Sequence, residues 1–462
     1  MSTSILAALT PRSRAYLARI TLIATLGGVL FGYDTGVING ALGSMSRELG
    51  LDAAAQGVVT GSLGLAAAVG ALAGGRLSDA FGRRRTILGL SVLFIAGALL
   101  CVLAPSFGVL VAGRIVLGLA VGGASTVVPV YLAEIAPYEV RGSLAGRNEL
   151  MVVAGQLAAF IVNAIIGTAL ADTPGVWRLM FAVCVLPAMG LLVGMLRVPE
   201  SPRWLVSVGR LDQAREVMAS IRDTERAQLE IEQIVQSVNR ADTSPGLRAA
   251  LRHSWFLPLL GVGIAVSAGQ QLTGINVIMY YGTSVLEQAG FSESAALIAN
   301  IGPGVIGVLG SIASLRLMER VPRRVMVITG YVLTALFHAL IGAASFLVPE
   351  DASYRPVLLL VLIIGFVGSM QTCLNVSTWV ILSELFPLRV RAAGMGFSAL
   401  CGWGTNSAVG AFFPIVLAAL GLTGTFFAFM VINVLIAAFM FRFLPETRGL
   451  SLEELEQQLT SA

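Results

Sequence analysis

The sequence contains no lysine, and all thirty of its basic residues are arginine. Charged residues make up only 12% of the chain, against about 25% in a typical soluble domain. The two histidines and four cysteines are scattered, without the short spacings of metal ligands. The composition excludes a water-soluble protein, and the sequence predicts neither a metal site nor the nucleophile and base of an enzyme.

Long apolar runs take the place of the missing charge. Hydrophobic residues reach 56%, and the mean hydropathy is +0.84. A helix needs about 20 predominantly apolar residues to cross a bilayer. Twelve such stretches are present, at residues 17–40, 55–76, 86–105, 107–131, 143–170, 177–197, 255–288, 293–318, 324–348, 356–383, 392–419 and 422–443. They predict an all-α polytopic membrane protein with twelve transmembrane helices, called spans 1 to 12 below.

The arginines predict the orientation of the chain in the membrane. Only Arg47, Arg178 and Arg355 fall on one side, and Arg114 lies within span 4. The other arginines collect on the opposite side, which the positive-inside rule makes cytoplasmic. We therefore predict a multi-pass protein of the cell inner (plasma) membrane with both termini cytoplasmic. The net charge of +4 is no sign of nucleic-acid binding.

Charged segments at the helix ends repeat between the two halves of the chain. Residues 132–142 recur as 382–392, the loop between spans 2 and 3 recurs between spans 8 and 9, and a Pro-Glu pair closes both span 6 and span 12. The charged residues in these segments are Asp79, Arg83, Arg84, Glu134, Arg141, Glu200 and Arg203 in the first half, and Glu319, Arg323, Arg324, Glu384, Arg391 and Glu446 in the second. Internal repeats in an apolar chain are typical of membrane transporters.

The repeat predicts two six-helix bundles, at residues 1–197 and 255–444. Between them, residues 198–254 form the one sizeable polar block. Its apolar residues recur at spacings of three and four, so we predict a cytoplasmic linker of short helices. Residues 445–462 are predicted to form a cytoplasmic tail.

Five motifs at the predicted helix boundaries carry a family resemblance. They are Gly75-x3-Asp79-x2-Gly82-Arg83-Arg84, Gly113-Arg114, Pro199-Glu-Ser-Pro-Arg-Trp-Leu205, Gln270-Gln-Leu-Thr-Gly-Ile-Asn276 and Pro445-Glu-Thr-Arg-Gly449. In this order they resemble the sugar porter family of the major facilitator superfamily over essentially the whole chain. The resemblance implies two bundles around a central site that opens alternately to each side. The stretch 148–156 and the later run 379–384 look like those of bacterial inositol/proton symporters.

The repeated charges have two interpretations. They are either ordinary loop charge or a latch of ion pairs between the bundles that forms only when the cytoplasmic side is closed. An exposed pair contributes ~0–1 kcal/mol, but several can bias a two-state equilibrium by a few kcal/mol. We therefore predict a latch. Pro322 replaces the glycine that is usual in the family, which predicts a stiffer or weaker latch in the second half.

One acid and one base lie inside spans of the first half. Asp34 is in span 1 and Arg114 in span 4. A charge within a bilayer costs at least ~2.5–3.5 kcal/mol, so the two invite pairing. The pair is either a permanent structural bridge or a proton-coupling device in which protonated Asp34 releases Arg114. Human facilitative glucose carriers of this family typically have Asn in place of Asp34, so the resemblance favours proton symport.

Amides in span 7 predict the substrate site. Gln270, Gln271 and Asn276 match hydroxyl groups without imposing charge, although they could also serve as hydrogen-bonding contacts between helices. Gly274 predicts a helix break that lets Gln271 and Asn276 face one cavity. Further candidates are Tyr280 and Tyr281 as an outer lid, Trp379 as a flat surface for the sugar ring and, by the resemblance, Gln371 and Asn406 with Trp403 nearby.

The chain departs from the hexose porters in ways that bear on the substrate. Glu149 stands where they usually carry Gln, with Gln156 two turns further on. Gly307 and Gly402 replace frequent amides, and Asn375-Val376 replaces a Gly-Pro pair in span 10. A carboxylate accepts hydrogen bonds from a substrate rich in hydroxyls, such as inositol. Two alternatives remain open, in which Glu149 pairs with Arg147 or shares the proton with Asp34.

These observations predict proton-coupled import of a monosaccharide or cyclic polyol, with inositol favoured. The alternatives are a facilitated uniporter, which an uncoupler would not affect, and a transporter-like sugar sensor. We predict no enzyme activity, no metal and no cofactor, since the proton gradient supplies the energy. The predicted partners are the sugar or polyol, protons and the lipid bilayer, without nucleic acid, and the functional unit is a monomer.

Overall fold

In the computed structural model, the described residues are 11–135, 141–221, 224–241, 256–318, 320–386 and 390–447. Within these ranges the chain forms α-helices, one π-helical turn and connecting loops. The helices are α1 (Pro11–Leu49), α2 (Ala53–Phe81), α3 (Arg83–Val102), α4 (Phe107–Ile135), α5 (Arg141–Ala169), α6 (Val176–Val183), α7 (Val185–Met195), α8 (Pro202–Ser207), α9 (Leu211–Ile221), α10 (Thr224–Ala241), α11 (Phe256–Leu272), α12 (Ile275–Gln288), α13 (Glu293–Ala299), α14 (Ile301–Leu317), α15 (Arg323–Leu347), α16 (Arg355–Met370), α17 (Val376–Leu385) and α18 (Arg391–Phe443). The π-helical turn, Gln371–Asn375, joins α16 to α17.

The predicted twelve transmembrane helices are confirmed. Eleven stretches of the described chain are long and apolar enough to cross a membrane. The last of them, α18, holds spans 11 and 12, because Gly421 has φ 63° and ψ −177° and interrupts the helix. Glycine adopts this φ without the steric cost that a side chain brings. Spans 6, 7, 8 and 10 each consist of two consecutive helices.

The two bundles make their principal contacts in one half of the molecule. Span 2 packs on span 11, span 1 on span 7, and span 5 on span 8. An atom added at Gly57 would lie 2.0 Å from the Ala411 carbonyl oxygen, so glycine is needed for this close approach. We call this half the far end. The opposite half, which contains the repeated charges such as Arg83 and Arg323, is called the latch end.

The polar segment between the bundles contains three short helices, α8 to α10. Trp204, Met218 and Ile231 are buried in a small core that these helices share. The indole Nε1 of Trp204 donates to the Asp79 carbonyl oxygen at 2.8 Å, which fastens the segment to the first bundle. The predicted helices are therefore present, while residues 242–255 lie outside the described ranges.

Candidate functional site

The two charged residues inside the first bundle contact each other. Arg114 Nη1 lies 2.9 Å from Asp34 Oδ1, and both side chains are fully buried. Arg114 Nε also donates to the Val59 carbonyl oxygen at 3.3 Å, and the guanidinium lies over the Phe181 ring. Spans 1, 2, 4 and 6 thus surround the pair. Because removing a charge from water costs several kcal/mol, each of the two stabilises the other.

The pair leaves part of its hydrogen-bonding capacity unused. Asp34 Oδ2, Arg114 Nη2 and the hydroxyl of Tyr33 have no hydrogen-bond partner among the described residues. A carboxylate oxygen without a donor can take up a proton without breaking another hydrogen bond. Protonation of Asp34 would leave Arg114 as a buried, unpaired cation. It would therefore favour a conformation in which the guanidinium is better solvated.

Amides of the second bundle form a connected cluster around the break in span 7. Asn276 Nδ2 donates to Gln271 Oε1 at 2.5 Å, and Asn406 Nδ2 donates to the same oxygen at 3.1 Å. The Tyr280 hydroxyl donates to Asn406 Oδ1 at 3.0 Å, and Gln271 Nε2 donates to Gln270 Oε1 at 3.2 Å. The structure thus brings together five of the residues predicted for the substrate site.

Gly274 explains why Gln271 and Asn276 meet. It has φ +83° in the left-handed region and separates α11 from α12. On an uninterrupted helix the two amides would point about 140° apart. The break turns both toward one region, as the sequence predicts. Their role in binding substrate stays a prediction.

Span 10 reaches the same region through a distortion of its own. The five-residue π-helical turn stands where the family's Gly-Pro pair is replaced by Asn375-Val376, and π turns are frequent at functional sites. It begins at Gln371, which is 4% exposed and whose Oε1 has no partner among the described residues. Gln270 Nε2 donates to the Asn375 carbonyl oxygen at 3.4 Å, which connects span 10 to the cluster. Trp379 follows on α17 and is half-buried.

Two further aromatic residues lie at contacts between helices. Trp403 of span 11 packs against Phe31 of span 1, with ring centroids 5.4 Å apart, and so joins the bundles. The Tyr281 hydroxyl donates to the Gly410 carbonyl oxygen at 2.6 Å, and its ring packs on Phe413. Tyr281 therefore holds span 7 against span 11 within the second bundle. Its function as an outer lid stays a prediction.

The two candidates in span 5 have different surroundings. Gln156 is buried, and its Nε2 donates to Thr35 Oγ1 at 3.1 Å, beside Asp34. Glu149 lies two turns closer to the latch end and is half-buried. None of the side chains that the structure describes forms an ion pair with Glu149. The side chain of Arg147 is not among them, so that alternative stays open.

Two glycines replace amides that are frequent in the family, and both allow close helix packing. An atom added at Gly402 would lie 2.3 Å from Ser267 Oγ. At Gly307 it would meet Val153 Cγ1 at 3.2 Å and Gln371 Nε2 at 3.8 Å. Glycine at these two positions therefore allows the helices to pack closely. At Gly307 it also leaves space for the Gln371 side chain.

The latch residues that the structure describes pair within each bundle, and ion pairs between the bundles when the cytoplasmic side closes stay a prediction. Arg83 contacts the two carboxylate oxygens of Glu134 at 2.9 and 3.1 Å and Asp79 at 3.0 Å. Arg323 lies 3.5 Å from Glu384. These partners sit at the ends of neighbouring spans of one bundle, whereas the principal contacts between the bundles are at the far end. Three predicted members lie outside the described side chains: Glu319, Arg141 and Arg391.

Two other latch acids cap helices. Glu200 accepts from the backbone N–H of Arg84 at 3.0 and 3.1 Å. Glu446 accepts from the N–H groups of Arg323 and Arg324 at 3.0 and 3.1 Å. A carboxylate at a helix N-terminus satisfies free N–H groups and complements the helix dipole. Arg203, predicted to belong to the latch, is exposed on α8.

Sequence reasoning missed two hydroxyls of the latch. Ser201 Oγ donates to Glu134 Oε2 at 2.5 Å, and Thr447 Oγ1 donates to Glu384 Oε2 at 2.6 Å. The repeated Pro-Glu-Ser and Pro-Glu-Thr segments carried this signal, because each hydroxyl directly follows the capping acid.

Sequence reasoning also missed Asn39, which joins the bundles at the far end. Its Nδ2 donates to the carbonyl oxygens of Ile278 at 2.8 Å and Met279 at 2.9 Å. Its Oδ1 accepts from the backbone N–H and the hydroxyl of Thr283, at 2.8 and 2.7 Å. A buried amide in an apolar span needs such partners, so the isolated Asn39 was itself the signal.

Comparisons with known proteins agree with this architecture. Residues 20–459 match the family described as "Sugar (and other) transporter". The chain is 47% identical over 446 residues to the major myo-inositol transporter IolT of Bacillus subtilis (strain 168), covering 96% of this chain and 94% of that protein. It is 34% identical over 445 residues to the galactose-proton symporter of Escherichia coli (strain K12), covering 95% and 94%.

A solved structure matches the fold over nearly the whole chain. The partially occluded inward open conformation of the xylose transporter XylE from E. coli has a TM-score of 0.82 and 29% identity to this chain. The match covers 95% of this chain and 100% of that one.

Proposed function

The chain belongs to the sugar transporter family, and from that premise we propose that it imports a monosaccharide or cyclic polyol, with inositol favoured, together with a proton. The observation that carries the coupling is the fully buried contact between Asp34 and Arg114. The substrate class is supported by the neutral amide cluster and by the 47% identity to a protein named as a myo-inositol transporter.

The transport cycle follows from the buried pair and the two bundles. We assign the latch end to the cytoplasm, because most arginines lie there. A proton arriving from outside neutralises Asp34, Arg114 loses its partner, and the balance between outward-open and inward-open states shifts. On the cytoplasmic side the proton leaves, the pair forms again, and the substrate is released. A shift of this kind requires only that proton and substrate bind the two states with different affinity.

The chemistry around the cluster fits inositol. This substrate has a hydroxyl group on every ring carbon, so it needs many hydrogen-bonding groups and no opposite charge. Gln271, Asn276 and Asn406 supply donors and acceptors, and Glu149 supplies an acceptor from the latch end. Trp379 offers an apolar face to the C–H side of the ring. The carboxylate of Glu149 is then the feature that distinguishes this site from the site of the hexose porters, which usually carry Gln at this position.

The proposal requires no cofactor, since the proton gradient supplies the energy. It also requires no second subunit, because one chain contains both the charged pair and the amide cluster. The functional unit is then a monomer in the bilayer.

The test is uptake by the purified protein in proteoliposomes with an alkaline interior. A panel of inositols, hexoses and pentoses would identify the substrate, and we expect myo-inositol to accumulate above its external concentration. An uncoupler should reduce uptake to simple equilibration. Uptake that never exceeds equilibration and ignores the uncoupler would instead establish a facilitated uniporter. Binding without any flux would establish a sensor.

A further inference from the structure

His338 lies in span 9, buried beside the break in span 7. Its Nε2 is 2.8 Å from the carbonyl oxygen of Thr273. A carbonyl oxygen only accepts hydrogen bonds, so Nε2 carries the ring proton and donates it. Nδ1 then holds a lone pair, and it has no partner among the described residues.

The Thr273 carbonyl needs this donor because the helix is broken. In a continuous helix it would accept from the N–H of Val277, four residues later. Here the Val277 N–H donates to the Gly274 carbonyl oxygen at 3.1 Å instead. A carbonyl without a donor is costly inside a membrane protein, and breaks in spanning helices persist where neighbouring helices satisfy the freed groups. His338 supplies that donor from another span.

The His338 ring is held in place by aromatic residues of two other spans. Its centroid lies 4.4 Å from that of Phe366 in span 10, and 5.5 and 5.6 Å from those of Phe426 and Phe429 in span 12. Phe429 also packs on Gly274, where an added atom would lie 3.2 Å from its ring. The same aromatic group therefore contacts both the histidine and the glycine that forms the break.

A second polar contact fixes span 12 to span 9 just beside this group. The Thr334 hydroxyl, one turn before His338, donates to Asn433 Oδ1 at 3.0 Å. Asn433 Nδ2 in turn donates to the Phe429 carbonyl oxygen at 2.8 Å. Contacts within spans 9, 10 and 12 thus hold the His338 ring beside the break in span 7.

We propose that His338 is a positioning residue that anchors the break of span 7 to the rest of the second bundle. Through the Thr273 carbonyl it sets the spacing between Gln271, before the break, and Asn276, after it. His338 does not itself touch the substrate. The inference rests on the proposed substrate site around span 7.

Two substitutions separate the donor from the packing. His338→Phe keeps an aromatic ring and removes the N–H, whereas His338→Gln keeps an N–H near the position of Nε2. An unsatisfied carbonyl makes the binding-competent arrangement rarer, so we expect His338→Phe to raise the dissociation constant of myo-inositol about tenfold. His338→Gln should stay within about threefold of the wild type on the same reasoning. Phe346→Leu, at the exposed end of the same helix, is the control and should leave the dissociation constant unchanged.

The proposal is wrong if His338→Phe binds myo-inositol as the wild type does, or if His338→Gln is as impaired as His338→Phe. The turnover number should fall less than the affinity, since the hydrogen bond acts on the geometry of the bound state.

A spectroscopic test needs no variant of His338. The chain has two histidines, so His253→Gln leaves a protein with one. Purified without a histidine tag and labelled with 15N-histidine, it should show a neutral ring with the proton on Nε2. A ring protonated on Nδ1, or on both nitrogens, would overturn the inference. If the wild type fails to bind myo-inositol, the assignment of inositol as substrate is wrong, and the spectrum still tests the hydrogen bond from His338 to the Thr273 carbonyl.

Discussion

The two bundles repeat each other at the latch end and differ in their interiors. At the latch end, an arginine, two glutamates and a hydroxyl occupy equivalent places in both. In the interior, the first bundle holds the charged pair Asp34–Arg114, whereas the described interior of the second holds the neutral cluster around Gln271 and Asn276. The repeated parts give each bundle the same framework. On the proposed function, the parts that differ divide the work, with proton coupling assigned to the first bundle and recognition to the second.

The repeated parts themselves are unequal. Arg83 contacts both oxygens of Glu134, at 2.9 and 3.1 Å, whereas Arg323 lies 3.5 Å from one oxygen of Glu384. Arg83 also contacts Asp79 at 3.0 Å. Among the described residues the first latch is thus the more closely paired, and the prediction that the second is stiffer or weaker stays open.

Removing the acid of the first bundle should have the largest effect. Asp34→Asn keeps the size of the side chain and removes the group that takes up the proton, so we expect uphill accumulation to be abolished while counterflow continues. The measurement is uptake into proteoliposomes with and without an imposed pH gradient. Asp52→Asn, at the start of α2, is the control and should accumulate substrate normally. Accumulation by Asp34→Asn would show that coupling lies elsewhere.

Removing an amide of the second bundle should weaken recognition instead. Gln271→Leu leaves the donors of Asn276 and Asn406 without their shared acceptor. Buried unsatisfied groups cost about 1–3 kcal/mol each, so affinity for substrate should fall by roughly 100-fold. Equilibrium binding of radiolabelled substrate measures this. Gln288→Leu, at the exposed end of the same span, is the control and should bind substrate normally. If Gln271→Leu bound substrate with the affinity of the wild type, Gln271 would not belong to the site.

Substitution of Glu149 tests whether substrate recognition belongs to the second bundle alone. If its carboxylate accepts hydrogen bonds from substrate hydroxyls, Glu149→Gln should weaken binding of myo-inositol about tenfold, since hydrogen bonds to charged groups contribute about 1.5–3 kcal/mol. Glu216→Gln, in the exposed part of α9, is the matched control. Unchanged affinity would remove Glu149 from substrate binding and restore the strict division between the bundles.

The latch arginines should show the smallest and most graded effects. Arg83→Leu removes contacts with two acids, so it should lower the midpoint of thermal unfolding by more than Arg323→Leu does. Arg85→Leu, which is exposed, should change the midpoint little, because most surface substitutions lie within about 0.5 kcal/mol. Equal shifts for Arg83→Leu and Arg323→Leu would show that the difference in geometry has no energetic consequence.

The features predicted from the sequence are those fixed by local chemistry. Apolar length gives the spans, and Gly274 gives the break because few residues tolerate its backbone conformation. The contact between Asp34 and Arg114 follows from the cost of burying either alone. The partners of Arg83 and Arg323 within each bundle could not be predicted, because motif positions do not show which helix ends are neighbours. The hydrogen bond of His338 is not predictable from the sequence, since its partner is a backbone carbonyl that no side-chain pattern reveals.

The division between the bundles is tested most directly by the proton flux that accompanies substrate. Myo-inositol added to proteoliposomes without a gradient should alkalinise the external medium in the wild type. We predict that Asp34→Asn loses this proton flux and keeps counterflow, whereas Gln271→Leu loses both. Proton flux that persists in Asp34→Asn would contradict the account.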